Sequence, residues 1–198
     1  MFGRWRKVRA DRKLWRQAGS LAELGGLMAR WLEGDLSVWP GYAVAGPDEE
    51  TADLVPVLAR LNRAGFVTDQ SQPGCDEYGI YGHWKQRAAV SGLVGDEQLL
   101  NALARVAEAE RLTILVRTVD EASRRPGITA TTVDGEAYTD FGGHLSRSDL
   151  RHIWLGTSWA ALAEIEAAWQ VTLIDPVYGR TDRLWPALDE ALALVTTP

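Results

Sequence analysis

Three groups of residues in this 198-residue chain carry side chains able to do chemistry. The first is the polar string Asp69, Gln70, Ser71 and Gln72, which runs into Pro73-Gly74, with Gln86 and Arg87 a short way downstream. Amide, hydroxyl and guanidinium groups beside a turn suit a phosphate, a carboxylate or an amide, because arginine grips two oxygens at once and turn N–H groups add further donors. Tyr78, Tyr81 and Trp84 would supply such a pocket with apolar walls. The same polar residues could instead satisfy the backbone of an irregular loop. The second group is Cys75 with His83, the minimal thiol–imidazole nucleophile pair, flanking a glycine-rich stretch. A solitary cysteine is more often an inert small hydrophobe. The third group is Asp140, His144 and Asp149, followed by Asp175, Tyr178, Arg180 and Asp182. Aspartates at strand ends could act as general bases or hold magnesium, yet they are also the commonest turn formers and caps. His144, after Gly142-Gly143, is the most reactive-looking histidine by context. The catalytic candidates are therefore Cys75, His83 and His144, and the ligand-binding candidates are Gln70, Ser71, Gln72, Gly74, Tyr78, Trp84, Gln86 and Arg87. No metal-ligand spacing and no cofactor motif occurs, so neither a metal nor a cofactor is expected.

Elements that could position these groups follow from periodicity and caps. Ser20 with Glu23 is a capping-box pattern ahead of Leu21, Leu24, Leu27, Met28, Trp31 and Leu32, which predicts a helix running to about Gly34. Residues 35–46 read as a loop. A second helix is predicted from Asp48 to Ala64, with Thr51 or Asp53 as its true cap so that Pro56 falls in the first turn. Phe66–Gln72 reads as a strand, and residues 74–82 as a glycine-rich connection to a second strand over Trp84–Val94. Asp96 caps the next helix, and Leu112–Val116 is a continuous apolar run of the kind found in central buried strands. Ile128–Val133 and Glu136–Phe141 flank Asp134-Gly135, the preferred type I′ hairpin signal. A short strand is predicted at Arg151–Leu155, a helix capped by Thr157 or Ser158, a strand at Val171–Ile174 and a last helix opening at Asp182. Trp31, Trp159, Trp169 and Trp185 fall on predicted helical faces and are assigned to the core, whereas Trp5, Trp39, Trp84 and Tyr42 flank loops. This order implies an α/β fold, with α+β as the alternative: a mixed sheet of about five to seven strands with flanking helices.

Charge is unevenly spread. Residues 1–16 hold seven basic residues against Asp11 alone, a net of +6, whereas the whole chain is −6, so residues 17–198 carry −12. The division expected is a basic N-terminal arm over 1–16 and a single globular α/β domain over 17–198. Basic residues interleaved with Trp5 and Trp15 could bind phosphate backbones. A body of net −12 repels nucleic acid, so the favoured reading is a basic segment packed on that body. Hydrophobic content of 46% with 24% charged residues suits a folded chain, and this length buries roughly 70% of its unfolded surface. One cysteine excludes an internal disulfide and a four-cysteine metal site, which fits a reducing cytoplasm. The chain begins with charge instead of an apolar leader and has no run long enough to span a membrane, so neither secretion nor membrane insertion is expected.

The strings Asp48-Glu49-Glu50-Thr51, Leu54-Val55-Pro56-Val57-Leu58, Asn62-Arg63-Ala64-Gly65-Phe66-Val67-Thr68, Ser71-Gln72-Pro73-Gly74, Gln86-Arg87-Ala88-Ala89-Val90 and Ala168-Trp169-Gln170-Val171-Thr172-Leu173 resemble an uncharacterised actinobacterial (Streptomyces-type) domain family. The resemblance implies a bacterial host and a cytoplasmic setting, and no activity. Two functions stay open from the residues. One is a cytoplasmic binding or interaction domain for a small anionic or nucleotide-like ligand, or for a protein partner, with nucleic acid and membrane disfavoured. The other is a hydrolase or transferase using Cys75 or His144.

Overall fold

The computed structural model of the chain describes residues 2–40, 46–80, 82–121 and 125–196. In chain order the elements are α1 (Phe2–Gln17), α2 (Leu21–Leu32), a 3-10 turn (Glu49–Leu54), α3 (Val55–Arg63), β1 (Phe66–Gln72), β2 (Cys75–Gly79) and β3 (Gly82–Val94). They continue through α4 (Glu97–Ala109), β4 (Thr113–Arg117), β5 (Ile128–Val133), β6 (Glu136–Phe141), α5 (Arg147–Ile153), α6 (Trp159–Ala167), β7 (Trp169–Tyr178) and α7 (Leu184–Thr196). The fold is α/β.

Strand β3 organises the sheet. Along one side it pairs with β1 over its C-terminal half and with β2 over its N-terminal half. Along the other it pairs with β7, which leads to β4, and with β5, which leads to β6. Every pairing is antiparallel, so the sheet is not mixed. Connectivity contributes to this: α4 links β3 to β4, two strands separated by β7, and the paired consecutive strands, β2–β3 and β5–β6, are hairpins. Strand β2 lies inside the stretch expected to be an irregular connection. Gln72 pairs with Ala89 and Cys75 with Gln86, three residues on in both strands, so the chain passes Pro73-Gly74 without losing register.

Local chemistry explains most boundaries. Ser20 accepts the Glu23 N–H, while the Glu23 carboxylate reaches past the cap to the Gly19 N–H at 2.6 Å. Asp96 accepts the Leu99 N–H at the start of α4. The β5–β6 turn has positive φ at both Asp134 (51°) and Gly135 (88°), as a type I′ turn requires. The second helix is split: neither Thr51 nor Asp53 caps it, and α3 starts after the 3-10 turn with Pro56 in its first turn. Arg151–Leu155 is not a strand. Ser146 and Asp149 form a reciprocal capping box upstream, and Leu150, Ile153 and Trp154 then follow at helical spacing. Leu112–Val116 contributes to β4, an edge strand beside β7 alone, and Val116 is 43% exposed.

The principal core joins Leu24, Leu58, Leu61, Phe66, Leu93, Leu103, Ile165 and Leu188 across the helices and the sheet. A smaller cluster of Ala89, Ala130, Phe141 and Ile174 forms where β5 and β6 leave β3. The basic N-terminal stretch is helix α1, which buries Val8 and Trp15, and the Trp15 Nε1–H donates to the Val38 carbonyl at 2.8 Å. Asp11, its single acid, is held by the Ser37 hydroxyl and N–H and by Lys7. Those hydrogen bonds outweigh burial and set its carboxyl below the usual range. Trp31 and Trp185 are buried, but Trp159 is 82% exposed on α6 and Trp169 opens β7 instead of closing a helix.

Candidate functional site

The register of β1 slips between Thr68, opposite Gly92, and Gln70, opposite Ser91, which makes Asp69 the extra residue of a β-bulge. A bulge re-aims side chains, and here it sits at the edge of a cavity of about 680 Å3. Gln70, Ser91 and Thr172 are cross-strand partners on three strands and so share a face. The Ser91 and Thr172 hydroxyls bond each other at 2.8 Å. Met28, Trp31 and Leu32 of α2, Trp39, the segment 139–145 and Ile153 of α5 build the remaining walls. The Trp31 and Trp39 rings lie 5.6 Å apart and tilted by 49°. A volume of this size, with aromatic walls and a few polar groups, is that of a small-molecule site.

Three residues that line the cavity each hold a buried polar atom without a hydrogen-bond partner among the described residues: Asp69 Oδ1, Thr139 Oγ1 and His144 Nδ1. Buried polar groups are nearly always paired, because an unpaired one loses its hydration with nothing in return. Burial pushes the Asp69 carboxyl up to about 6, against the opposing pull of the Asp69 and Gln70 backbone N–H groups. His144 is only 9% exposed, and its Nε2 lies 3.0 Å from the Thr118 carbonyl. A carbonyl can only accept, so Nε2 carries a proton, and Nδ1 is left without a partner among the described residues. The charged groups lining the cavity are Asp48, Glu50, Asp69 and Asp140, with no lysine or arginine among the described lining residues.

The other expected site residues are distributed differently. Gln70, Ser71 and Asp140 line the cavity with His144. Ser71 pairs with Val90 and lines the cavity, whereas Arg87, further along β3 opposite Tyr178, is not among its lining residues. The two strands do meet, since the Gln72 amide donates to the Arg87 carbonyl at 2.8 Å, but Ser71 and Arg87 do not share a pocket. Arg87 donates to the Thr129 carbonyl at 3.0 Å and stacks over the Tyr178 ring at 4.3 Å, which holds strands together. Gly74 has a structural reason to be glycine, because a Cβ there would strike the Arg180 backbone. Asp175, fully buried, takes a bidentate pair of 2.7 Å bonds from Arg180, and Asp149 belongs to the α5 capping box. Tyr42 and Tyr81 lie outside the described residues.

Cys75 and His83 are not a dyad. Cys75 pairs with Gln86, whereas His83 pairs with Tyr78, stacks on its ring at 4.2 Å and places Nε2 2.5 Å from Asp76. Burial and the nearby Glu77, Asp76 and Glu50 carboxylates push the Cys75 thiol up to about 11, so it stays protonated. With Trp84 and Gln86 it lines a second groove of about 360 Å3, in which the Trp84 Nε1–H donates to Gln86 Oε1 at 2.7 Å.

Among the described residues no three His, Cys, Asp or Glu side chains converge to hold a metal ion, and no helix is long and apolar enough to cross a membrane. The sequence offers Trp39 as a residue able to line an aromatic pocket, but it assigns Trp31 to the core and singles out neither Met28 nor Thr139 for the site. They come from three separate stretches of chain, and only the fold brings them together. A search of curated proteins found no match. The model of a domain of unknown function, DUF6919, matches residues 10–195, and the chain belongs to that family.

Proposed function

We propose that this chain is a small-molecule-binding domain whose ligand occupies the cavity between α2, α5, the 139–145 segment and the β1 bulge. The observation that carries the reading is the set of unpartnered buried atoms, Asp69 Oδ1, Thr139 Oγ1 and His144 Nδ1, on residues that line one cavity. Among the described lining residues are four carboxylates and no lysine or arginine, which favours a neutral or cationic ligand over the anionic one that the polar string suggests. A nucleotide-like ligand fits only as far as its base, because phosphates would face those carboxylates.

Native mass spectrometry of the purified protein tests this. A retained small molecule that is lost from His144→Phe, which keeps a flat ring but removes both ring nitrogens, supports the reading, and retention equal in both proteins counts against it. A hydrolase or transferase remains the second reading, favoured by the buried His144 ring, whose Nε2 is held by the Thr118 carbonyl while Nδ1 has no partner among the described residues. The raised thiol of Cys75 removes that residue from the catalytic proposal. An actinobacterial host and a cytoplasmic setting belong to the same proposal, supported by the shared sequence strings and the single cysteine.

A further inference from the structure

Resting on the reading of the cavity as a binding site, we infer that its ligand is an organic ammonium: an amine on an aromatic frame, held by Asp69 at the bulge and carrying a further polar group toward His144. Asp69 Oδ1 has no donor among the described residues, its carboxylate is favoured only by the Asp69 and Gln70 backbone N–H groups, and no lysine or arginine is among the described lining residues. An ammonium supplies both the missing donor and the missing charge. Asp48, Glu50 and Asp140 are exposed around the cavity and add a negative rim that draws cations and repels anions. The carboxylates do not converge as a metal site does, so the charge they complement is spread over an organic molecule. Trp31 and Trp39 present rings to the same space, and aromatic faces attract both cations and flat apolar frames. His144 Nδ1 has no partner among the described residues, which asks the ligand for a second polar group.

Met28 lines the cavity and is one of two methionines in the chain, the other being the first residue, so a methyl-labelled methionine reports on this space. The probes are 2-phenylethylamine, 2-phenylethanol and phenylacetate, which share a frame and differ in charge, each titrated to about 10 mM so that millimolar affinity registers. The expected result is a Met28 methyl shift with the amine at roughly tenfold or more lower concentration than with the alcohol, and none with phenylacetate. Asp69→Asn should weaken the amine roughly tenfold and leave the alcohol unchanged. Binding of phenylacetate or the alcohol with the amine silent overturns the ammonium assignment while leaving the cavity a binding site. Amine binding unaltered by Asp69→Asn overturns it as well, and silence from all three probes overturns the binding reading itself.

Discussion

At the scale of single residues, Asp69 links stability to binding. Its folded carboxyl titrates at about 6, above the ordinary value of 3.8, so the folded state holds a proton that the unfolded state has lost between those values. Stability must fall as pH rises through that window, and ionised Asp69 costs on the order of 3 kcal/mol at neutral pH. The other titratable groups among the described lining residues are Asp48, Glu50, Asp140 and His144, with no lysine or arginine. Asp69→Asn should therefore raise the unfolding free energy at pH 7 by about 2–3 kcal/mol, with the gain vanishing near pH 4. Urea unfolding at the two pH values checks this, and equal effects at both would refute the electrostatic account. A stabilising substitution that impairs binding is the signature of a residue kept for function. Cys75 gives the opposite forecast. With its thiol up at about 11, iodoacetamide should modify it far more slowly at neutral pH than a free thiol, and Cys75→Ser should leave ligand retention intact.

Among the elements, α5 matters most to the site, because it follows directly from His144 and brings Ile153 to the cavity wall. Its start depends on the reciprocal Ser146–Asp149 cap, so Ser146→Ala should cost about 1 kcal/mol in a urea melt. A loss of only a few tenths would mean that packing of Leu150 and Trp154 alone fixes the helix. The same element shows where sequence reading reaches its limit. Arg151–Leu155 looks like a strand by composition, but the cap five residues upstream and the buried Leu150 and Trp154 favour a helix. Hairpin β5–β6 was legible because two adjacent residues of the right type dictate the turn. The bulge at Asp69 was not, since it is defined by the partner residues Ser91 and Gly92 and not by β1 itself. For the same reason Ser71 and Arg87 could be placed on neighbouring strands, while which of them lines the cavity required the register. His144 was legible as a candidate from its context, but the hold on its Nε2 comes from Thr118, a residue on the far side of the β5–β6 hairpin.

Considered whole, the molecule sets a basic helix against an acidic remainder. Helix α1 is anchored by Val8 and Trp15, so Trp15→Ala should destabilise the protein by about 3–5 kcal/mol, read as a lowered urea midpoint. Because residues 17–198 carry −12, the full chain should show no tight, salt-sensitive binding to duplex DNA. Such binding, abolished by removing α1, would reassign the helix to nucleic acid. The negative rim, the aromatic wall and the unpaired atoms converge on one space, and the account stands or falls on what occupies it. A crystal structure of the protein soaked with 2-phenylethylamine is the most direct measurement. The account predicts electron density between Trp31, Trp39 and the bulge, with the ammonium about 3 Å from Asp69 Oδ1. It is contradicted if Asp69 Oδ1 is bonded to a donor of the protein itself, with the cavity closed and the amine seated elsewhere.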